Sequence, residues 1–295
     1  MSCAVFVFPD CAAPAQRLAR ELGVPSHTVG VHRFPDGESL VRVEHSPAIA
    51  LLYRSLDHPN DKVVELLLAA SALRDSGAQK VILVVPYLAY MRQDTAFHEG
   101  EAVSQRVVGT LLANHFDALI TLDPHLHRTH SLAEIMHGIE AVSLSAAAIL
   151  RAALTASDDP MLVGPDGESR QWVESIAGPL GLEFLLGEKR RLGDRSVDLA
   201  IPGIERARGR AVVLVDDLVS SGATLKAAAQ LLAGAGARRI DALATHCLAG
   251  EGDLMQLREA GIASVRATDS VAGPAGVLPT AAVLAEEIRR RSWCG

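Results

Sequence analysis

One segment, residues 211–225, constrains the fold of this chain more than any other. Its first five residues are apolar and predict a buried parallel strand; two carboxylates and a loop of small residues follow, and a helix opens near Thr224. Small residues let backbone N–H groups approach an anion, and hydroxyls and the helix N-terminus add positive ends. The order therefore predicts a phosphate site. An ordinary strand, turn and helix with an acidic cap is the alternative.

The two carboxylates would repel a phosphate, so they indicate a role in binding sugar hydroxyls or Mg²⁺. The pattern resembles the loop with which type I phosphoribosyltransferases and PRPP synthases bind phosphoribosyl diphosphate (PRPP). The candidate site comprises Asp216, Asp217, Ser220, Ser221, Gly222, Ala223 and Thr224.

Composition limits the class of protein. With 295 residues, 49% hydrophobic and 21% charged, the chain is long enough for two globular α/β domains. The net charge of −7 argues against nucleic acid or a membrane surface as partner. The sequence shows no signal-peptide pattern and no apolar run of membrane-spanning length, so we expect a cytoplasmic protein. The 4 cysteines lack C-x-x-C spacing, which favours reduced thiols.

Strand-like apolar runs alternate with helical patterns along the chain, which is typical of parallel α/β sheets. Turn residues at 34–37 predict that residues 26–43 form a projecting β-hairpin. An internal duplication is indicated because two stretches each predict a helix, a glycine-containing turn and an apolar strand. We therefore expect an α/β fold of two similar domains, residues 1–145 and 146–295, each a parallel sheet flanked by helices.

Two segments of the first half carry candidate nucleotide-binding groups. Phe34, Asp36 and Glu38 lie on the hairpin turn, where an aromatic ring can stack on a base and carboxylates can accept hydrogen bonds from it. Arg92 and Gln93 follow the carboxyl end of a strand, and Arg can pair with phosphate or lie flat on a purine. An exposed turn and a surface arginine are the alternatives.

Three further segments carry candidate metal-binding or basic groups at predicted strand ends. His125 is followed by two more histidines, at 127 and 130; a transition-metal site is an alternative, but a single His assisting Mg²⁺ or phosphate fits better. Asp166 ends a strand and could contact Mg²⁺ or sugar. The basic run 189–191 interrupts an acidic protein, and the polar stretch 192–196 after it predicts a mobile loop.

Together these segments occur in the order and approximate spacing of ribose-phosphate diphosphokinases (PRPP synthetases), a family that the chain resembles over most of its length. Phosphoribosyltransferases share the phosphate loop but lack the hairpin, so the combination is more specific than any one part. Residues 97–104 and Ser220 are closer to the archaeal-type members of the family.

The resemblance implies two domains of the type I phosphoribosyltransferase kind and transfer of the diphosphoryl group of Mg-ATP to the 1-hydroxyl of ribose 5-phosphate, giving PRPP and AMP. It implies catalytic roles for Lys189 and Arg191, and Mg²⁺ assisted by His125 and Asp166. It also implies a homodimer or higher homo-oligomer in which the hairpin serves a neighbouring subunit. The ATP-binding residues that it implies are Phe34, Asp36, Gly37, Glu38, Arg92 and Gln93, and the ribose 5-phosphate residues are those of 216–224 given above.

Two other functions remain open at this point. A phosphoribosyltransferase would consume PRPP with a base and would need no ATP. A non-catalytic, synthetase-associated regulator would bind nucleotide without turnover.

Overall fold

The computed structural model describes residues 2–45, 47–126, 128–154, 160–191 and 197–294. The chain divides into two compact units, one formed by residues 1–145 with 279–295 and the other by residues 146–278. Each unit contains a six-stranded parallel sheet with helices on both faces. The predicted α/β fold class is confirmed.

The first unit begins with short apolar strands. Its strands are β1 (Cys3–Val7), β2 (Ser26–Thr28), β3 (Gly30–Arg33), β4 (Ser39–Arg42), β5 (Ile49–Tyr53), β6 (Lys80–Val84), β7 (Ala118–Leu122) and β8 (Glu140–Leu144). The parallel sheet has the order β2-β1-β5-β6-β7-β8, and β3 and β4 form a separate antiparallel hairpin. The central strands are buried along their whole length because helices cover both faces, and this requires apolar residues at successive positions.

Helices α1 (Ala12–Leu22), α2 (Pro59–Asp75) and α3 (Ser104–Ala113) lie in this unit. α2 and α3 pack on one face of the sheet, and α1 packs on the other. The first helix ends at Gly23, which adopts a left-handed conformation (φ 71°) and donates its N–H to Arg20 O.

The hairpin is confirmed between residues 30 and 42, but the prediction was wrong for residues 26–28. These residues form β2, an edge strand that pairs in parallel with β1, from Val5 opposite Ser26 to Val7 opposite Thr28. Local turn signals cannot show this pairing because it depends on a strand about twenty residues away in the sequence.

The second unit repeats this plan. Its strands are β9 (Met161–Gly164), β10 (Phe184–Leu186), β11 (Glu188–Arg191), β12 (Val197–Ala200), β13 (Ala211–Val219), β14 (Arg239–Cys247), β15 (Ile262–Thr268) and β16 (Gly276–Leu278). The sheet has the order β10-β9-β13-β14-β15-β16, and β11 and β12 form an antiparallel pair outside it. In both units an antiparallel pair therefore follows the strand at one end of the sheet, as the duplication predicts.

Helices α4 (Ala147–Ala153), α5 (Arg170–Ala177), α6 (Ala223–Gly234) and α7 (Glu251–Glu259) flank the second sheet. α4 and α5 pack on one face, and α6 and α7 pack on the other. Strand β13 continues through both carboxylates to Val219, whereas the sequence predicted that it would end at residue 215. The pairing with β14, which reaches Val219 opposite Cys247, extends it.

The C-terminal helix, α8 (Ala281–Arg290), packs in the first unit beside α1, whereas we expected residues 279–295 in the second domain. Its buried Leu284 and Ile288 join the same core as α1. Trp293 Nε1 donates a hydrogen bond of 3.0 Å to Glu140, which also pairs with Arg291. The apolar face of the helix decides its location, since that face is complementary to the first sheet.

A disulfide joins Cys3 in β1 to Cys294, with 5.5 Å between the Cα atoms, so the expectation of reduced thiols was wrong for this pair. Cys11 and Cys247 are free and buried. The packing of α8 brings the two ends of the chain together, a proximity that cysteine spacing cannot reveal. No helix in the described ranges has the length and apolar character needed to cross a membrane.

We expect two free thiols, not four, in the folded protein, because one pair is bonded. Denaturation without reductant, alkylation and intact-mass measurement should show two added groups, and reduction should raise the number to four. A Cys294→Ser variant should take three groups without reductant. Four groups on the unreduced wild type would contradict the bond.

Candidate functional site

The hairpin tip is a tight turn with its own hydrogen bonds. Phe34 N–H donates to Glu38 O (2.8 Å), and Gly37, at φ 94°, donates to Phe34 O (2.9 Å). The Asp36 carboxylate accepts the Glu38 N–H at 3.1 Å. The Phe34 ring is 41% exposed and contacts His32 edge-on, with 4.8 Å between ring centroids. The tip therefore presents an aromatic face and two carboxylates on a stable turn.

Several residues with strained backbone angles lie at the carboxyl ends of the central strands in the first unit. His58, Tyr90, Asp123 and His125 all have positive φ, from 30° to 66°, and they follow β5, β6 and β7. Non-glycine residues rarely adopt this conformation, and it persists only where flanking structure holds it. It is enriched at binding sites. His125 N–H donates to Asp123 O at 2.8 Å, which fixes the turn that carries the predicted histidine.

The loop that contains Arg92 and Gln93 is tied to the loop after β7. The Asp94 side chain, 3% exposed, accepts hydrogen bonds from Arg128 N–H (3.2 Å) and Arg128 Nη1 (2.8 Å). Gln105 of α3 is buried and donates its N–H to Gln93 O. These contacts hold Arg92, which is exposed, and His125 on neighbouring loops of one sheet edge.

In the second unit, carboxylates from neighbouring strands meet at the carboxyl edge of the sheet. β13 pairs with β9, so Asp216 lies beside the turn of Asp166. The Asp166 carboxylate accepts the N–H groups of Glu168 (3.1 Å) and Ser169 (3.3 Å), which caps a short helical turn. Asp217 is buried, and its N–H donates to the Asp216 carboxylate at 3.0 Å.

This grouping perturbs one carboxyl strongly. Burial raises the pKa of Asp216 well above its ordinary value, and the negative charges of Asp217 and Asp166 raise it further. Ionisation of Asp216 is therefore unfavourable in the free protein, and hydroxyl donors or a cation would favour its ionised form.

The predicted phosphate loop connects β13 to α6. Ser220 and Ser221 are exposed, and Gly222 precedes the helix in a left-handed conformation, φ 75°. No side chain in the described ranges caps this helix end, so the first N–H groups of α6 face the loop that an anion would occupy. A Cβ at position 222 would lie 2.9 Å from Leu257 Cδ2, so another residue would strain the left-handed backbone and would also displace the Leu257 side chain.

Lys189 and Arg191 lie in β11, opposite Leu199 and Val197 of β12. β11 starts beside Asp166, because Gly187 N–H donates to Gly164 O at 2.8 Å and a Cβ on Gly187 would lie 2.2 Å from Pro165 O. The stretch 192–196, predicted to be a mobile loop, and the histidine at 127 fall outside the described residues.

No three His, Cys, Asp or Glu side chains within the described ranges are arranged to hold a metal ion by themselves. The structure places His125 in the first unit and Asp166 in the second. A transition-metal site at the histidine run is therefore not formed by the histidines that are described. A Mg²⁺ site would need oxygens from a ligand, which is the usual case for Mg²⁺ with nucleotides.

Sequence reasoning missed several charged residues that position the site. Glu65 and Arg54 are both buried, and they connect to the hairpin and to the end of β5. Asp94 and Arg128 join two loops. A glutamate within the apolar pattern of α2 was a usable signal for Glu65, because a buried charge requires a partner.

Residues 3–115 match the family profile described as the N-terminal domain of ribose phosphate pyrophosphokinase, and residues 132–266 match the phosphoribosyl transferase domain. A protein named ribose-phosphate pyrophosphokinase from Methanopyrus kandleri is 34% identical over 282 residues, covering 94% of this chain and 95% of that protein. One of the same name from Thermococcus kodakarensis is 35% identical over 243 residues, covering 82% and 85%.

The crystal structure of phosphoribosylpyrophosphate synthetase from Mycobacterium smegmatis superimposes with a TM-score of 0.84 and covers 100% of both chains. Its sequence identity is 24%, so this likeness supports the fold.

Substitution of Gly222 by Ala should destabilise the protein more than substitution of Gly209, which has the same kind of φ (73°) but open space around it. Left-handed backbone costs Gly209→Ala about 1–2 kcal/mol, and contact with Leu257 adds roughly 1–3 kcal/mol in Gly222→Ala. Thermal unfolding should rank wild type, Gly209→Ala and Gly222→Ala in decreasing order of Tm. An equal fall in Tm for the two variants would refute a destabilising contact with Leu257.

Asp216→Asn should raise Tm at pH 8. An acid with a raised pKa binds more protons when folded, so the stability of the wild type falls as pH rises above the unfolded value of about 3.9. The variant has no acid at position 216, so it does not lose stability in this way. Its Tm should exceed that of the wild type by roughly 2 °C or more at pH 8, and this difference should shrink toward pH 4.

Asp241→Asn is the matched control in the same unit. Burial of Asp241 is outweighed by hydrogen bonds from Arg239 and Ser264, and its pKa is lowered. This control should therefore lower Tm at pH 8. An Asp216→Asn protein less stable than wild type at that pH would contradict the inference that ionised Asp216 destabilises the folded protein.

Proposed function

Because the chain belongs to the ribose-phosphate pyrophosphokinase family, we propose that it transfers the diphosphoryl group of Mg-ATP to the 1-hydroxyl of ribose 5-phosphate, releasing AMP and PRPP. One observation carries this proposal within the second unit: an acidic pair near the end of β13, the anion loop after it and a basic strand that follows β10 lie at one sheet edge. A sugar phosphate and a diphosphoryl donor require those three kinds of group.

The 5-phosphate of ribose binds the loop 220–224 in this proposal. Backbone N–H groups at the start of α6 and the hydroxyls of Ser220, Ser221 and Thr224 donate to the phosphate oxygens. The ribose 2- and 3-hydroxyls donate to Asp216 and Asp217. These hydrogen bonds stabilise ionised carboxylates, which offsets the burial and the repulsion that raise the pKa of Asp216 in the free protein.

The transfer itself is a displacement at the β-phosphorus of ATP. The 1-hydroxyl oxygen forms a bond to that phosphorus, the bond to the α,β-bridging oxygen breaks, and AMP leaves while the hydroxyl proton passes to solvent or phosphate. Lys189 and Arg191 neutralise charge that develops on the transferring group and on AMP. Holding both substrates in line supplies much of the remaining acceleration.

The hairpin and the loops of the first unit bind ATP in this proposal. Phe34 stacks on adenine, Asp36 and Glu38 accept hydrogen bonds from the exocyclic amine or ribose, and Gly37 permits the turn. Arg92 and Gln93 contact the nucleotide. Exposure of the Phe34 ring agrees with this role, and we propose a homodimer or larger homo-oligomer in which the hairpin of one subunit contacts the nucleotide bound by its neighbour.

The residues present fit a requirement for Mg²⁺. The grouping of Asp216, Asp217 and Asp166 is the observation that supports this fit, because a divalent cation would stabilise their ionised forms. Asp166 and His125 would assist Mg-ATP. When bound, Mg²⁺ would withdraw charge from phosphate oxygens.

Purified protein with ribose 5-phosphate and Mg-ATP should form AMP and PRPP in equal amounts, measured by anion-exchange chromatography. Lys189→Ala should lower kcat by roughly 100-fold or more, because one charge-stabilising group is lost. Turnover of PRPP with a base and no ATP would favour a phosphoribosyltransferase, and ATP binding without product would favour a regulator. Either result would overturn the proposal.

A further inference from the structure

One buried carboxylate, Glu65 of α2, joins both strands of the hairpin at the base of its tip. The Glu65 side chain is 1% exposed, and its Oε1 accepts hydrogen bonds from Arg33 Nε (3.2 Å), Arg33 Nη2 (3.1 Å) and Ser39 Oγ (2.9 Å). Arg33 ends β3 and Ser39 begins β4, and the two are opposite each other in the antiparallel register. A single oxygen therefore fixes the point at which residues 34–38 leave the hairpin.

The second oxygen of Glu65 connects the hairpin to the central sheet. Oε2 lies 2.7 Å from Arg54 Nη2, and the Arg54 side chain is 5% exposed. Arg54 follows β5, where its N–H donates to Val84 O, and its guanidinium lies 3.9 Å from the centroid of the Phe8 ring. A planar cation held on an aromatic face has little freedom, so Arg54 gives Glu65 a rigid support.

Positively and negatively charged side chains alternate beyond Arg54, so each buried charge has a neighbour of opposite sign. Arg54 Nε lies 3.6 Å from Asp10 Oδ2, which is 2.9 Å from Lys62 Nζ. Burial of Glu65 opposes its ionisation, but hydrogen bonds from Arg54 and Ser39 outweigh this and lower its pKa. The carboxylate is therefore ionised at neutral pH, the form that binds two arginines most strongly.

The body of the hairpin is attached in a different way. Val31 and Val41, paired across the two strands, pack against the apolar core that lies under α2 and α3. Apolar contacts are non-directional, whereas hydrogen bonds fix angles. The valines therefore hold the hairpin against the unit, and Glu65 sets the direction of the tip.

We propose that Glu65, supported by Arg54, is a positioning residue for the nucleotide: it orients the tip that carries Phe34 and thereby sets KM for ATP. It does not touch the reacting groups. This inference rests on the proposed function, because the tip must bind ATP for its orientation to affect KM.

The test compares Glu65→Gln with Asp61→Asn in the full-length protein. Both substitutions remove one negative charge from α2 near Arg33, but Asp61 is 74% exposed and lies 3.7 Å from Arg33 Nη1. Glu65→Gln should raise KM for ATP about tenfold, with kcat and KM for ribose 5-phosphate within about twofold of wild type. Asp61→Asn should leave all three within about twofold.

A second readout follows the tip without using activity. Hydrogen–deuterium exchange of peptides covering residues 30–42 in the absence of nucleotide should be faster in Glu65→Gln and unchanged in Asp61→Asn. Peptides from residues 118–122, in β7, should exchange at the wild-type rate in both variants, which shows that the unit stays folded.

Loss of Glu65 leaves the Arg54 charge buried, so Glu65→Gln could fail to fold. Two further variants cover that outcome. Ser39→Ala removes one hydrogen bond and leaves the ion pair intact, and should raise KM for ATP roughly threefold. The double variant Glu65→Leu with Arg54→Met removes both buried charges, which restores stability but leaves Arg33 and Ser39 without their acceptor.

Failure of this inference differs from failure of the proposed function. If the wild type makes no PRPP from ribose 5-phosphate and Mg-ATP, the proposed function is wrong and this inference falls with it, whatever the exchange data show. If the wild type is active and folded Glu65 variants keep the wild-type KM for ATP, the inference alone is overturned. A fall in kcat together with a rise in KM for both substrates would also overturn it, because that pattern indicates general structural damage.

Discussion

Helices cover both faces of each parallel sheet, and this double burial decides where polar side chains can gather. Strand β5 is apolar and buried at every position, and the first five residues of β13 are buried as well. Polar groups therefore occur where strands end, at Arg54 after β5, Asp123 after β7, Asp166 after β9 and Asp217 near the end of β13. Within each unit, the carboxyl ends of the parallel strands share one edge, so residues of that unit that are far apart in sequence come together there.

Each of the two edges is built at a cost in stability. Asp216 is buried and lies beside two other carboxylates, and both facts make its ionisation unfavourable in the free protein. Asp123 and His125 hold positive φ angles that most residues avoid. Such features persist because the surrounding strands and hydrogen bonds determine the local conformation. At the start of α6, Gly222 is likewise left-handed and lies against Leu257. A site of this kind favours ligands whose binding relieves the repulsion.

Much of this fold could be predicted from local patterns. Alternating apolar strands and helices predicted the α/β class, and the turn at 34–37 predicted the hairpin. The carboxylates and small residues of 216–224 predicted the loop that the structure shows between β13 and α6. Each of these signals lies within a few residues of the feature that it predicts. The roles of Lys189 and Arg191 stay predictions, because the described structure gives their backbone pairing only.

Contacts between distant residues were decided by the tertiary structure. Residues 26–28 join the main sheet because β1 offers them an open edge, and α8 returns to the first unit because its apolar face fits beside α1. That return brings Cys294 to Cys3, against the expectation of reduced thiols. The sequence by itself determined the elements and the chemical groups that follow them, since propensity and periodicity are local. Only the tertiary structure decided which buried charges meet, as Glu65 does with Arg33 and Arg54, because burial and partner choice depend on the packed chain.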